Sequence, residues 1–188
     1  MTSTTMPPMP TYSTAYSAPL ATTLVAVLFL AVWFDVSEKR IPNWITVGGL
    51  IASLVARVIV GPGALWAGML GGGLGLALGV LFFAVGAMGA GDGKLLAAVG
   101  GILGLDTFLW CLPLIGAFGG VLAIALTVRN GTLIPTLLRF RELLFYFVSF
   151  GRVGDRRTLT TQGSVAVPYG VAVAAGALVA WIGWGPTL

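Results

Sequence analysis

Two aspartates stand at the ends of strongly apolar segments: Asp35 closes the run Leu20–Phe34, and Asp92 lies in Gly89-Ala90-Gly91-Asp92, just after the run Ala64–Met88. An ionised carboxylate at the centre of a bilayer costs roughly 2.5–3.5 kcal/mol on insertion scales, so an acid attached to a membrane segment is a functional candidate by default. Two carboxylates a few ångströms apart cannot both ionise cheaply, so the pair shares a proton and supplies a base and an acid together. The ionised member takes a proton from water as it attacks a peptide carbonyl. The protonated member hydrogen-bonds the carbonyl oxygen and then assists the leaving amine. That chemistry is aspartyl peptide hydrolysis, with the acid and base roles a property of the dyad. The chain has no histidine and a single cysteine, Cys111, which removes the usual metal ligands, the usual neutral-pH base and any intramolecular disulfide. No metal and no cofactor is expected.

The residues around the pair have readable roles. Gly89, Gly91 and Gly93 are expected to let an active-site loop adopt positive φ, to admit an extended substrate backbone at close range and to make the loop mobile. Lys94 reads most simply as an anchor reaching for lipid headgroups, with electrostatic influence on the dyad as the alternative. Glu38 lies one helical turn after Asp35 and can face the same side, so it competes for the role of Asp35; otherwise it is an interfacial charge compensated by Lys39 or Arg40. In the turn Arg40-Ile41-Pro42-Asn43, Pro42 ends one helix and preorganises the next.

The elements that hold these residues must be membrane helices. Hydrophobic residues make up 57% of the 188, charged residues only 9%, and the mean hydropathy is +1.00, which excludes a soluble domain. At about 20 residues per span, the chain has room for six helices and short loops. The expected architecture is an all-α polytopic bundle. After the run Leu20–Phe34, spans are expected at 43–60, 64–88, 94–110, 111–128 and 166–185. The division of the fourth from the fifth is placed near Cys111-Leu112-Pro113. Residues 1–17, uncharged and rich in Ser, Thr, Pro and Met, read as a disordered tail, and 18–188 as one membrane domain. The first apolar run lacks a basic segment before it, so it is expected to remain as a helix and not to be cleaved. Leu143–Phe150 reads as part of an interfacial amphipathic helix, because a span ending there would draw Arg139, Arg141 and Glu142 into the bilayer. The ladders Gly68/Gly72 and Gly71/Gly75/Gly79 mark close helix packing within the monomer, with a dimer face as the other option. Oligomeric state stays open. No phosphate loop is visible, and no nucleic-acid partner is expected.

Charge sets the topology. With the amino end outside, the loops after spans one, three and five are cytoplasmic. They hold or adjoin Lys39, Arg40, Lys94, Arg129, Arg139, Arg141, Arg152, Arg156 and Arg157, leaving Arg57 as the exception on the outer side. The same assignment brings Asp35 and Asp92 to one cytoplasmic level and puts Asp106 at the opposite end, a poor partner for either.

Taken together, Asp35-Val36-Ser37-Glu38-Lys39-Arg40-Ile41-Pro42-Asn43, then Gly89-Ala90-Gly91-Asp92-Gly93-Lys94, then Val167-Pro168-Tyr169-Gly170 resemble the type IV prepilin peptidases, and in particular the small members serving Flp-type (Tad) pili. The resemblance implies a Gly-x-Gly-Asp aspartyl endopeptidase of the bacterial inner membrane. Asp35 and Asp92 would be catalytic, and Pro42, Asn43, Pro168 and Tyr169 would lie near the site or substrate. It implies cleavage of a basic leader after a glycine in pilin precursors, at the cytoplasmic face. Larger members also N-methylate the new amino terminus and insert a cytoplasmic domain with a cysteine tetrad between the first two helices. Here only eight residues separate Asp35 from Trp44, and Cys111 is alone, so methyl transfer is not expected. Two other readings stay open on the residues alone: another membrane protease using the same dyad on other substrates, or a non-enzymatic subunit in which the two acids relay protons or bind a cation.

Overall fold

The computed structural model describes residues 14–38, 40–84, 88–129, 131 and 169–184. Those residues form an all-α bundle: α1 (Thr14–Glu38), α2 (Asn43–Val60), α3 (Pro62–Ala84), α4 (Ala90–Leu103), α5 (Leu105–Arg129) and α6 (Tyr169–Trp184). Four of them, α1, α2, α3 and α5, are long and apolar enough to cross a bilayer, while α6 is apolar but shorter. The amphipathic helix expected within 129–160 and most of the amino-terminal tail lie outside the described residues.

The short helix α4 is the centre of the bundle. Every residue from Leu95 to Leu103 is buried, all the way round the helix, which is the pattern of an element enclosed by others. All five other helices pack against it. With about 1.5 Å of rise per residue, fourteen residues reach only about 21 Å. Enclosure by longer neighbours explains how so short a helix sits in a membrane protein.

Helix α3 lies closest to it, and the buried face of α3 is Ala64 followed by Gly68, Gly71, Gly72, Gly75 and Gly79. This settles the two glycine ladders as packing within the monomer. A methyl on Gly79 would lie 2.6 Å from the Cα of Gly93, and one on Gly71 or Gly75 would strike the backbone of Gly100 or Leu96. Lipid supplies no hydrophobic force between helices, so dispersion across touching backbones holds this pair, and only glycine lets them touch. The outer faces carry Phe29, Ile51, Ile59, Leu70, Val121 and Ile182, all exposed. Such surface is natural against acyl chains and costly in water.

Two findings bear on the expectations, the first of them a correction. The break between the fourth and fifth helices falls at Gly104, not near Cys111-Leu112-Pro113, and Pro113 sits inside α5. Gly104 takes φ 78°, a left-handed conformation that glycine adopts without strain, and its N–H closes α4 on the Gly100 carbonyl. Pro113 removes one amide donor without ending the helix. The second finding concerns Arg57, the exception in the charge pattern, which is buried within the bundle and does not face water. It is 5% exposed, and its guanidinium donates to the carbonyls of Gly101 (3.1 Å), Ile102 (2.9 Å) and Ala64 (3.0 Å). The carbonyls at the carboxyl end of α4 carry the negative pole of that helix, and Arg57 neutralises it from α2.

Candidate active site

Asp35 lies in the last turn of α1, half-buried, while Glu38 at the helix end is exposed. The chain then turns through Arg40-Ile41-Pro42 into α2. Ile41 is buried in the main core, and Phe34 meets Trp44 edge-on at 6.1 Å, clamping the two sides of the turn together beside Asp35. Pro42, with φ −62° and ψ 140°, stands at the amino end of α2, matching the structural role read for it.

Asp92 lies in the first turn of α4. Gly89 is the residue before that helix, and Asp92, three residues on, reaches back to accept the Gly89 N–H. This is half of a capping box, with the acid satisfying an amide the helix leaves open and sitting at the positive end of its dipole. The glycine expectation is corrected here: Gly89 has φ −71°, and the positive-φ glycines among the described residues are Gly61, Gly104 and Gly131. Close approach is the reason for these glycines. A methyl on Gly89 would lie 3.1 Å from Asp92 Oδ2, one on Gly93 would lie 3.1 Å from the Cα of Gly79, and one on Gly91 would rest 3.5 Å from Ile41.

The last contribution comes from α6. The Gly170 N–H donates to Asp35 Oδ2 at 2.9 Å, and the Tyr169 phenol lies near enough to Asp92 to feel its charge. Gly170 is in the first turn of α6, so this amide too is one that the helix leaves open. Each aspartate therefore accepts an amide at the amino end of a helix, Asp35 from α6 and Asp92 from α4. The Asp35 charge reaches Asp92. Asp92, ahead of the buried length of α4 and outside the four long helices, has its carboxyl pushed up to about 6 by burial first and the Asp35 charge second, with the Gly89 N–H pulling the other way.

The Lys94 ammonium donates to Asn43 Oδ1 at 2.9 Å, a contact the sequence did not suggest. Lys94 follows Asp92 by two residues and Asn43 opens α2, so the contact ties the start of α4 to the helix that follows the Asp35 turn. Asp106 lies at the far end: its neighbour Thr107 donates to the carbonyl of Trp184, fourteen residues along α6 from Gly170. Pro168 lies outside the described residues. The site contact that sequence reasoning missed is Gly170. Its signal was the Pro168-Tyr169-Gly170 turn, but nothing in sequence spacing says which acid a distant amide meets.

Fold and site thus define an all-α membrane protein with a pair of acids at one end of its bundle. Residues 22–128 match the model of the type IV leader peptidase family, more than half of the chain, and the chain belongs to that family. It is a membrane peptidase of the class that acts on type IV prepilins. No curated protein and no solved structure matches the chain. The matched segment contains Asp35, Asn43, Asp92 and Lys94 and ends before α6, so Tyr169 and Gly170 stand outside it.

Proposed function

We propose that this peptidase is an aspartyl endopeptidase that removes the leader from Flp-type (Tad) prepilins at the cytoplasmic face of the bacterial inner membrane, with Asp35 and Asp92 as its catalytic pair. The observation that carries the reading is that Asp35 and Asp92 each accept an open helix amide at one end of the bundle, close enough for the Asp35 charge to act on Asp92. One proton shared between them gives the acid and base of the reaction. The ionised carboxylate takes a proton from water, whose oxygen bonds to the scissile carbonyl carbon. The protonated carboxyl hydrogen-bonds the carbonyl oxygen as it gains charge. When the C–N bond breaks, a proton passes from the dyad to the departing amine, and the pair returns to its singly protonated state.

The setting supports a substrate that is itself a membrane helix. The pair lies at the end of the bundle that carries Arg40 and Lys94, and positive charge collects on the cytoplasmic side of membrane proteins. A prepilin lying laterally on the apolar outer faces would bring its leader junction to that level. The short link from Asp35 to Trp44 leaves no room for the inserted cysteine domain of larger relatives, so the proposed activity is cleavage without methyl transfer.

The test is co-expression with an Flp-type prepilin, reading leader loss by gel shift and mass at matched enzyme levels. Wild type and Glu38→Gln are expected to cleave, while Asp35→Asn and Asp92→Asn each lose activity by at least about 1,000-fold, since neither remaining group can serve as both acid and base. Cleavage by both Asp→Asn proteins would remove the dyad, and no cleavage by wild type would remove the substrate assignment.

A further inference from the structure

We propose that Gly170, outside the family-matched segment, is a positioning residue for the reaction, fixing the Asp35 carboxylate through its amide and by having no side chain. The inference rests on the dyad reading above. Its first support is the 2.9 Å hydrogen bond from the Gly170 N–H to Asp35 Oδ2, a contact between residues 135 positions apart in the chain. Its second support is steric and independent of that bond: a methyl at Gly170 would lie 2.7 Å from Asp35 Oδ2 and 3.1 Å from both its Cβ and its Cγ. Those atoms are close to the α1 backbone and have little room to swing away, because a carboxylate one bond from Cβ cannot retreat as the tip of a long side chain does. Alanine here would displace the carboxylate or rotate it off the amide. Misplacement of a reacting group by about 1 Å can cost about 100-fold in rate.

The same helix provides the comparison. A methyl at Gly176 would lie 2.7 Å from Ile115 Cγ1 and 2.8 Å from the Ile115 amide nitrogen, on the α5 side and two turns from the site. Gly176→Ala therefore perturbs packing of α6 without touching an acid. The experiment measures prepilin cleavage by purified, detergent-solubilised full-length enzyme, with kcat and KM separated, alongside its Tm. For Gly170→Ala, kcat is expected to fall about 100-fold with KM and Tm close to wild type. For Gly176→Ala, Tm is expected to fall while kcat per folded enzyme is unchanged. Wild-type kcat in Gly170→Ala overturns the proposal, and so does a Gly170→Ala that loses Tm and rate together in the manner of Gly176→Ala. The Asp35→Asn and Asp92→Asn proteins run in parallel: if they cleave normally the dyad reading itself fails, and if they are inactive while Gly170→Ala cleaves normally only the positioning role fails.

Discussion

Asp92 illustrates how a half-buried acid, proposed above as catalytic, weakens the fold that holds it. Its carboxyl is pushed from the ordinary value near 3.8 up to about 6, which means that the folded chain holds the proton more tightly than the unfolded chain does. Ionised Asp92 therefore penalises the folded state above about pH 6, and the penalty fades as pH falls towards 4. Asp92→Asn is expected to raise Tm at pH 8, on the order of 2–4 °C if a solvent-screened penalty of about 1 kcal/mol is relieved, and to leave Tm unchanged at pH 4. Thermal unfolding at the two pH values checks this, and an equal gain at both would refute it. Part of the gain should vanish in an Asp35→Asn background, because the Asp35 charge is one cause of the shift. At this scale the sequence was informative about chemistry and less so about conformation. An acid beside an apolar run is conspicuous because its insertion is costly, whereas the backbone angles of Gly89, Gly91 and Gly93 depend on how α4 starts and on Gly79 and Ile41 beside it. The Lys94–Asn43 contact was hidden for the same reason, since both residues are polar and only the fold brings them together.

Among the elements, α4 matters most, and Arg57 is its least expected support. A cation buried in a membrane protein is tolerated when enough acceptors surround it, and here two carbonyls at the carboxyl end of α4 and one at the start of α3 accept its hydrogen bonds. Arg57→Met is expected to cost about 3–5 kcal/mol, because removing charge-assisted bonds also leaves those carbonyls without their partner. Arg57→Lys should recover only part of this, since an ammonium cannot fan out across three acceptors as a planar guanidinium does. Detergent melting of the three proteins measures it, and a wild-type Tm for Arg57→Met would refute the capping role. Charge counting read Arg57 as an exception to the charge rule, because hydropathy cannot distinguish a charge facing water from one that closes a helix. The Gly104 break was illegible for a related reason. Pro113 is the louder signal in the sequence, yet α5 absorbs it and the quieter glycine ends the helix.

The molecule as a whole is framed by tryptophan. Trp33 and Trp44 lie at the end of the bundle that holds the acids, and Trp66, Trp110, Trp181 and Trp184 at the other, where Trp110 and Trp184 stack at 5.2 Å. Amphipathic rings gather at the two membrane surfaces, so these belts mark the boundaries that the charge pattern orients. Because Cys111 is buried, a membrane-impermeant thiol reagent should leave the wild-type chain unlabelled. Gly63→Cys, at an open position in the first turn of α3, is expected to label in cells with a permeable outer envelope and an intact inner membrane. Arg40→Cys is expected to label only after the inner membrane is opened, and the reverse pattern would invert the proposed orientation. The all-α bundle and the six helices of the described residues were readable from apolar run lengths; the centrality of α4 was not, since burial on every side and exposure to lipid on every side leave similar hydropathy. The Gly170 amide has one more consequence, in the order of synthesis. A growing chain makes Asp35 first and Asp92 nearly sixty residues later. The amide that holds Asp35 follows only after nearly eighty more. Under the proposed positioning role, both acids are present during translation in a chain whose pair is still unset, and the arrival of α6 is the event that would arm the peptidase.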